Sequence, residues 1–218
     1  MVPEEMRSYF QKMKKVQTLL IAAAAGALLL SGCGSYDADE NTLFIKKNGE
    51  IYETNVQTYE GDQYSAEEIQ AFIDEEIGAY DGEGSVSVEK FEMEGNTAKL
   101  TTKYSDGKAY AEFNKRPFFN GKVVLAQADG FNFNVPFFER NEKGSDTESA
   151  DGTAVPREQV IDNPNLSVVV LSENTVVSVP GKILYYSEHV KPQDKHTAKV
   201  EDYGENGTAT LPAYIIYQ

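Results

Sequence analysis

The 218-residue sequence holds one cysteine, two histidines and no tryptophan. A single thiol cannot close an internal disulfide and leaves no thiolate set for a structural zinc. His189 and His196 stand seven apart, a spacing that does not place two imidazoles on one helix face for a metal. Positive charge is also scarce, with 20 basic residues against 35 acidic ones. Such a surface repels nucleic-acid phosphates and anionic lipid headgroups alike, so no nucleic-acid partner is expected. The chain has no Gly-x-Ser-x-Gly elbow, no His-Glu-x-x-His motif and no phosphate-cradling glycine loop. No catalytic residue, cofactor or metal site is therefore assigned.

Long apolar runs are absent but for one. Val16 to Leu30 spans 15 residues and includes Gln17 and Thr18, whereas a membrane span needs about 20 apolar residues. Lys14 and Lys15 precede it, and the small residues Ser31 and Gly32 lead into Cys33, which is the order of a signal peptide. Leu30-Ser31-Gly32-Cys33 resembles the lipobox of bacterial lipoproteins. The resemblance implies cleavage before Cys33, a diacylglycerol on its sulfur, and a mature chain held by lipid on the extracellular or periplasmic side of the cell membrane. Cys33 is thus the expected lipid-attachment residue. Glu4 and Glu5 dilute the positive charge of residues 1–12, so translation is expected to start at Met13.

Residues 1–32 are read as the signal peptide. Their loss takes Arg7, Lys12, Lys14 and Lys15 with Glu4 and Glu5, leaving 186 residues with 16 basic and 33 acidic side chains and a formal charge of −17. Residues 33–41 read as the lipidated cysteine and an acidic tether, whose eight residues from Gly34 reach about 29 Å when extended. Asp37, Asp39 and Asn41 match the first ligands of a calcium loop. Thr42 stands where that loop needs glycine, however, and Asn48 where it needs glutamate, so a solvated tether is the preferred reading.

Residues 42–218 are expected to form a single α+β domain, mainly antiparallel sheet with one amphipathic helix packed on it. Asn48-Gly49 between Thr42–Lys47 and Glu50–Thr58 predicts a hairpin with a two-residue loop. Ser65 and Glu68 spell a capping box, and Ile69, Phe72, Ile73, Ile77 and Tyr80 share one helical face to about Gly78. Val86 and Val88 change phase with Phe91 and Met93, which predicts a bulge near Glu89-Lys90. Gly95-Asn96 and Asp106-Gly107 are read as turns of a three-strand meander ending in Ala109–Asn114. Further strands are expected at Lys122–Ala128, Phe131–Phe138, Leu166–Leu171, Thr175–Val179 and Lys182–Ser187. A last hairpin is expected from Thr197–Tyr203 and Thr208–Tyr217. Residues at about 140–155 hold almost no apolar side chain and read as a disordered acidic loop. The remainder is short for an independent core.

Few residues point to chemistry. Ser187, Glu188 and His189 are adjacent, but neighbours on a strand face opposite ways, which argues against a triad. A glycosidase needs only two carboxylates flanking a cleft, and the sequence does not single out a pair. Asp62, Asp81 and Glu83 lie in glycine-containing turns and are read as turn formers. Phe118-Phe119, Phe137-Phe138 and Tyr185-Tyr186 place aromatics on both faces of extended segments, as a sheet covered on both sides would. Lys115-Arg116 beside Phe118 is a small basic island suited to an anionic group. The expected function is a noncatalytic surface lipoprotein that binds a protein, glycan or small-molecule ligand near its membrane. The alternatives are a membrane-tethered envelope hydrolase using a carboxylate pair or His189, and a solute-binding lipoprotein of a transporter. The latter usually has two larger α/β lobes, against a single amphipathic helix here.

Overall fold

The computed structural model describes residues 36–60, 64–140, 152–203 and 211–218, and within them the chain is α+β with mostly antiparallel sheets. One sheet has seven strands: β1 (Thr42–Ile45), β2 (Ile51–Thr58), β3 (Val86–Glu94), β4 (Thr97–Tyr104), β9 (Thr175–Ser178), β11 (Val190–Pro192) and β12 (Thr197–Val200). Their spatial order is β11-β12-β9-β1-β2-β4-β3. The other has six: β5 (Phe119–Lys122), β6 (Phe137–Glu139), β7 (Thr153–Val155), β8 (Ser167–Leu171), β10 (Ile183–Ser187) and β13 (Ala213–Tyr217), in the order β5-β8-β13-β10-β6-β7. Only β1 with β9 is a parallel pair among the described residues. Four helices complete the described residues: α1 (Ala66–Gly78), α2 (Gly107–Asn114), α3 (Val123–Ala128) and α4 (Glu158–Ile161). Both sheets take strands from before residue 140 and after residue 152.

Local chemistry explains the clearest elements. At the start of α1, Ser65 Oγ accepts from the Glu68 amide at 3.2 Å while Glu68 Oε2 accepts from the Ser65 amide at 2.9 Å, so the expected capping box closes. The expected bulge lies between Val88 and Lys90, where the register against β4 slips. The first hairpin differs in detail from its prediction. Gly49 alone has positive φ, at 91°, and its amide donates to Lys46 O at 3.0 Å, so a four-residue turn replaces the two-residue loop.

Apolar alternation then sets two cores. Leu43, Ile45, Ile51 and Val177 of the seven-stranded sheet pack against Val169, Leu171, Ile183 and Ile215 of the six-stranded sheet. Val168, Val170, Tyr214 and Ile216 point the other way, where Val123, Ala126, Phe133 and Val160 cover them. Burial on both faces explains the unbroken apolar runs of β8 and β13, and each fully buried Val or Ile there contributes about 1.5–3 kcal/mol. Phe118, Phe137 and Tyr186 are buried, and their partners Phe119, Phe138 and Tyr185 are half-buried against these cores. Ile69 and Ile73 of α1 form a third cluster with Tyr59 and Ala98.

Several expectations are corrected. Ala109–Asn114 is the helix α2 rather than a strand, because Asp106 caps it by accepting from the Ala109 amide at 2.8 Å. Lys122–Ala128 divides into the end of β5 and α3, with Val123 and Ala126 buried at helical spacing. Of Phe131–Phe138, only Phe137 and Phe138 join a strand, β6. Thr153–Val155, at the end of the expected disordered loop, pairs with β6, and residues 141–151 lie outside the described residues. The expected last hairpin is not a hairpin, since β12 pairs in one sheet and β13 in the other.

The acidic tether is corrected as well. Tyr36 stacks on Tyr52 with ring centroids 3.7 Å apart and meets Phe44 edge-on, and its carbonyl accepts from Thr54 Oγ1 at 2.5 Å. Ala38 is buried, Asp39 and Glu40 pair with Lys99 and Lys199, and Asn41 Oδ1 accepts from the Val56 amide. Residues 36–41 thus cover the outer face of the seven-stranded sheet. An apolar ring and two carboxylates find apolar and lysine partners there.

Candidate functional site

The two sheets enclose one concentration of ionisable groups. Glu53 shares the inward face of β2 with Ile51, and only 8% of it is exposed. Glu173 sits in the turn between β8 and β9 and is 7% exposed. Tyr104 at the end of β4 donates to Glu53 Oε2 at 2.6 Å. Tyr110 of α2 donates to Glu173 Oε1 at 2.6 Å, with Glu53 Oε1 at 3.5 Å from the same hydroxyl. One helical turn later, Asn114 Nδ2 donates to Tyr104 Oη at 3.2 Å and to the Tyr110 carbonyl. Lys115 then takes a left-handed conformation at φ 53°, which reverses the chain and brings the Arg116 guanidinium onto Glu173. A non-glycine residue in that region costs about 1–2 kcal/mol.

Two carboxylates facing one guanidinium fix the electrostatics. Burial, and then the Glu173 charge, push the Glu53 carboxyl up to about 7. Burial followed by the adjacent carboxylates raises the phenols of Tyr104 and Tyr110 well above their ordinary range, so both remain donors. Burial works against the Arg116 charge, but Glu173 outweighs it and the guanidinium stays above its ordinary value. Near neutral pH the cluster is therefore one ion pair and one carboxyl poised to share a proton.

The same geometry limits its chemistry. Both carboxylates reach one phenol oxygen, so their near oxygens are at most about 6 Å apart, closer than the pair of an inverting glycosidase at about 6.5–9.5 Å. The Tyr110 hydroxyl fills the space where a glycosidic bond would sit. Among the described residues, every buried side-chain polar atom has a hydrogen-bond partner. The arrangement holds protons and joins α2 to both sheets.

The other candidates are dispersed. His189 is a turn residue between β10 and β11 with φ 68°, its ring 5.2 Å from that of Tyr203. The Ser187 hydroxyl instead donates to Glu188 O and accepts from the Tyr214 amide. His196 Nδ1 lies 2.7 Å from Gly181 O. Asp81 and Glu83 are exposed in the turn before β3, while Asp62 and Cys33 lie outside the described residues. Among the described residues, no three His, Cys, Asp or Glu side chains gather as a metal site would require. Of the basic island, Arg116 is engaged by Glu173 and Phe118 packs on Tyr110. An open depression of 430 Å³ runs along α1, lined by Ala66, Glu67, Gln70, Ala71, Asp74 and Phe91. Val124 and Leu125 of α3 are exposed at 54% and 56%.

Sequence reasoning missed the Glu53–Glu173 cluster, although half of it had a signal. Glu53 is in phase with Ile51 on a strand whose partner presents Leu43 and Ile45. Glu173 is a turn residue with no local mark of burial. No helix among the described residues is long and apolar enough to cross a membrane. No protein-family model, curated protein or solved structure matches this chain.

Proposed function

We propose that the chain is a membrane-anchored lipoprotein whose α+β domain binds a ligand or partner on the outer side of the membrane and catalyses no reaction. The observation that carries the reading is the position of the fold relative to Cys33. Tyr36 is already part of the sheet packing, so the sulfur-bearing residue stands three positions from a fixed side chain, within about 11 Å of backbone. A lipid there holds the domain directly against its membrane. Two long acyl chains supply on the order of 20 kcal/mol of anchoring at about 0.8 kcal/mol per buried methylene, so the domain needs no apolar insertion of its own.

The noncatalytic part of the proposal is supported by the phenol between Glu53 and Glu173, which leaves this buried carboxylate pair without room for a substrate bond. The anchor is tested by Cys33→Ala. The variant is expected in the soluble fraction after cell lysis while the parent stays with the membranes until detergent is added. A variant that still sediments with membranes and resists salt extraction sinks the proposal.

A further inference from the structure

The two sheets have four edges, and three of them are short. β7 and β11 have three residues each, and β11 ends in Pro192, which has no amide to offer a neighbour. β5 has four residues and runs straight into α3. The fourth edge is β3, nine residues long, which among the described residues pairs with β4 on one side and with no strand on the other. Its bulge lies between Val88 and Lys90, so Lys90–Glu94 runs in unbroken register with β4 and presents alternate backbone donors and acceptors along its free side. The open depression of 430 Å³ runs beside this edge. Its lining comes from α1 and from Phe91 of β3, with no residue of β4 or β2, so it lies at the free edge rather than over the middle of the sheet. Ile69 and Ile73 turn under α1 onto Ala98, which leaves Ala71 and the half-buried Phe91 as apolar lining between Glu67 and Asp74.

Charge decides the occupant. α1 holds five acidic residues and no basic one, and β3 adds Glu89, Glu92 and Glu94. The lysines nearby are engaged, Lys90 by Glu92 at 2.8 Å and Lys99, opposite Glu92 on β4, by Asp39 at 2.9 Å. Asp74 accepts from the neutral Gln70, and neither it nor Glu67 has a cation within 4 Å among the described residues. A second copy of β3 would bring glutamates against glutamates, which disfavours pairing of like edges. We propose that the free edge of β3 and the flank of α1 form a docking groove for an extended, lysine- or arginine-bearing segment of another protein. Its backbone adds a strand beside Lys90–Glu94. Side chains on one face of that strand lie on Phe91 and Ala71 and reach Glu67 and Asp74, and those on the other face meet Glu92 and Glu94. This rests on the partner-binding part of the proposed function and names the class of partner.

The test uses the full chain in detergent and a fluorescent peptide of about nine residues in which lysine alternates with valine, its termini blocked. Anisotropy at low salt is expected to show saturable binding, weakened at least about tenfold when glutamate replaces the lysines. At saturation the amides of residues 90–94 are expected to exchange about fivefold more slowly. Glu67→Gln with Asp74→Asn, both at exposed helix positions, is expected to weaken binding about tenfold. Asp129→Asn with Asp162→Asn makes the same change of charge at exposed positions after α3 and α4, and is expected to leave binding unchanged. The proposal is overturned by no saturable binding, by equal binding of the glutamate peptide, by equal loss in the two double variants, or by unchanged exchange at residues 90–94. Slow exchange there that grows with protein concentration before peptide is added also overturns it, and gives the edge to a second copy of the chain. Failure of the anchor reads differently. A chain that binds the peptide but does not sediment with membranes keeps the groove and loses the lipoprotein reading.

Discussion

Replacing Glu53 by glutamine tests the buried cluster through its pH dependence. In the folded chain the Glu53 carboxyl is pushed from 4.5 to about 7, by burial first and by Glu173 second. Between those values the unfolded chain gives up the proton and the folded chain keeps it, so the unfolded state gains. The stability contributed by protonated Glu53 is complete below pH 4.5 and is lost as pH rises through about 7. At about 1.4 kcal/mol per pH unit the loss is ~3 kcal/mol. A glutamine side chain in its place has no proton to lose, and its amide fits the site. The amide oxygen can accept from Tyr104, and the amide nitrogen faces a Tyr110 hydroxyl that already donates to Glu173.

The assay is urea unfolding at pH 5, 6, 7 and 8, with Glu89→Gln as an exposed control for the change in net charge. Wild type and the control are expected to lose on the order of 3 kcal/mol across this range, and Glu53→Gln markedly less. The depressed carboxyls of Asp39 and Glu201 act in the opposite sense but only as pH falls below the ordinary carboxylate range, outside the window. The histidines are common to all three proteins and cancel from the comparison. Parallel pH profiles for wild type and Glu53→Gln would refute the reasoning, because they would mean that Glu53 titrates alike in the folded and unfolded chains.

Two further substitutions probe neighbouring parts of the argument. Arg116→Ala leaves the carboxylate of Glu173 without its guanidinium in a site that is almost closed to water, and is expected to cost roughly 3–5 kcal/mol in urea unfolding at neutral pH; a loss below about 1 kcal/mol would place the pair effectively in solvent. Tyr36→Ala removes the ring stacked on Tyr52 and edge-on to Phe44, and is expected to lower stability by about 1–2 kcal/mol, whereas a solvated tether would give no change.

The elements legible in the sequence were those whose cause lies within a few residues. Ser65 and Glu68 cap α1 through bonds three residues apart, and the phase change around Glu89 is visible in four side chains. Misreadings arose where two periods fit one stretch. Asp106-Gly107 reads as a turn leading into a third meander strand over Ala109–Asn114, yet Asp106 is also a helix cap, and the bond from Asn114 to the Tyr110 carbonyl accompanies the helical choice. Val123-Val124-Leu125 has the composition of a strand, and it becomes α3 because Val123 and Ala126 are the positions that the second core buries. The pairing of β13 between β8 and β10 is a long-range outcome that no local turn signal encodes.

The site was less legible than the fold for a related reason. Burial of a carboxylate depends on what the other sheet places opposite it, and Glu173 becomes a buried acid only once α2 lays Tyr110 and Arg116 across it. The cluster also explains why α2 forms where a meander strand was expected. A third strand there would have carried Tyr110 and Asn114 along the sheet, whereas the helix turns both inward above Glu53 and lets the left-handed Lys115 return Arg116 to Glu173. Two acids, one from each half of the chain, are thereby tied through one helix, and breaking that tie at Arg116 uncouples elements that apolar contacts alone would still hold together. On this argument the Arg116→Ala protein keeps both sheets and loses order first in α2, which hydrogen exchange would report as amides 109–114 exchanging ahead of β8 and β13.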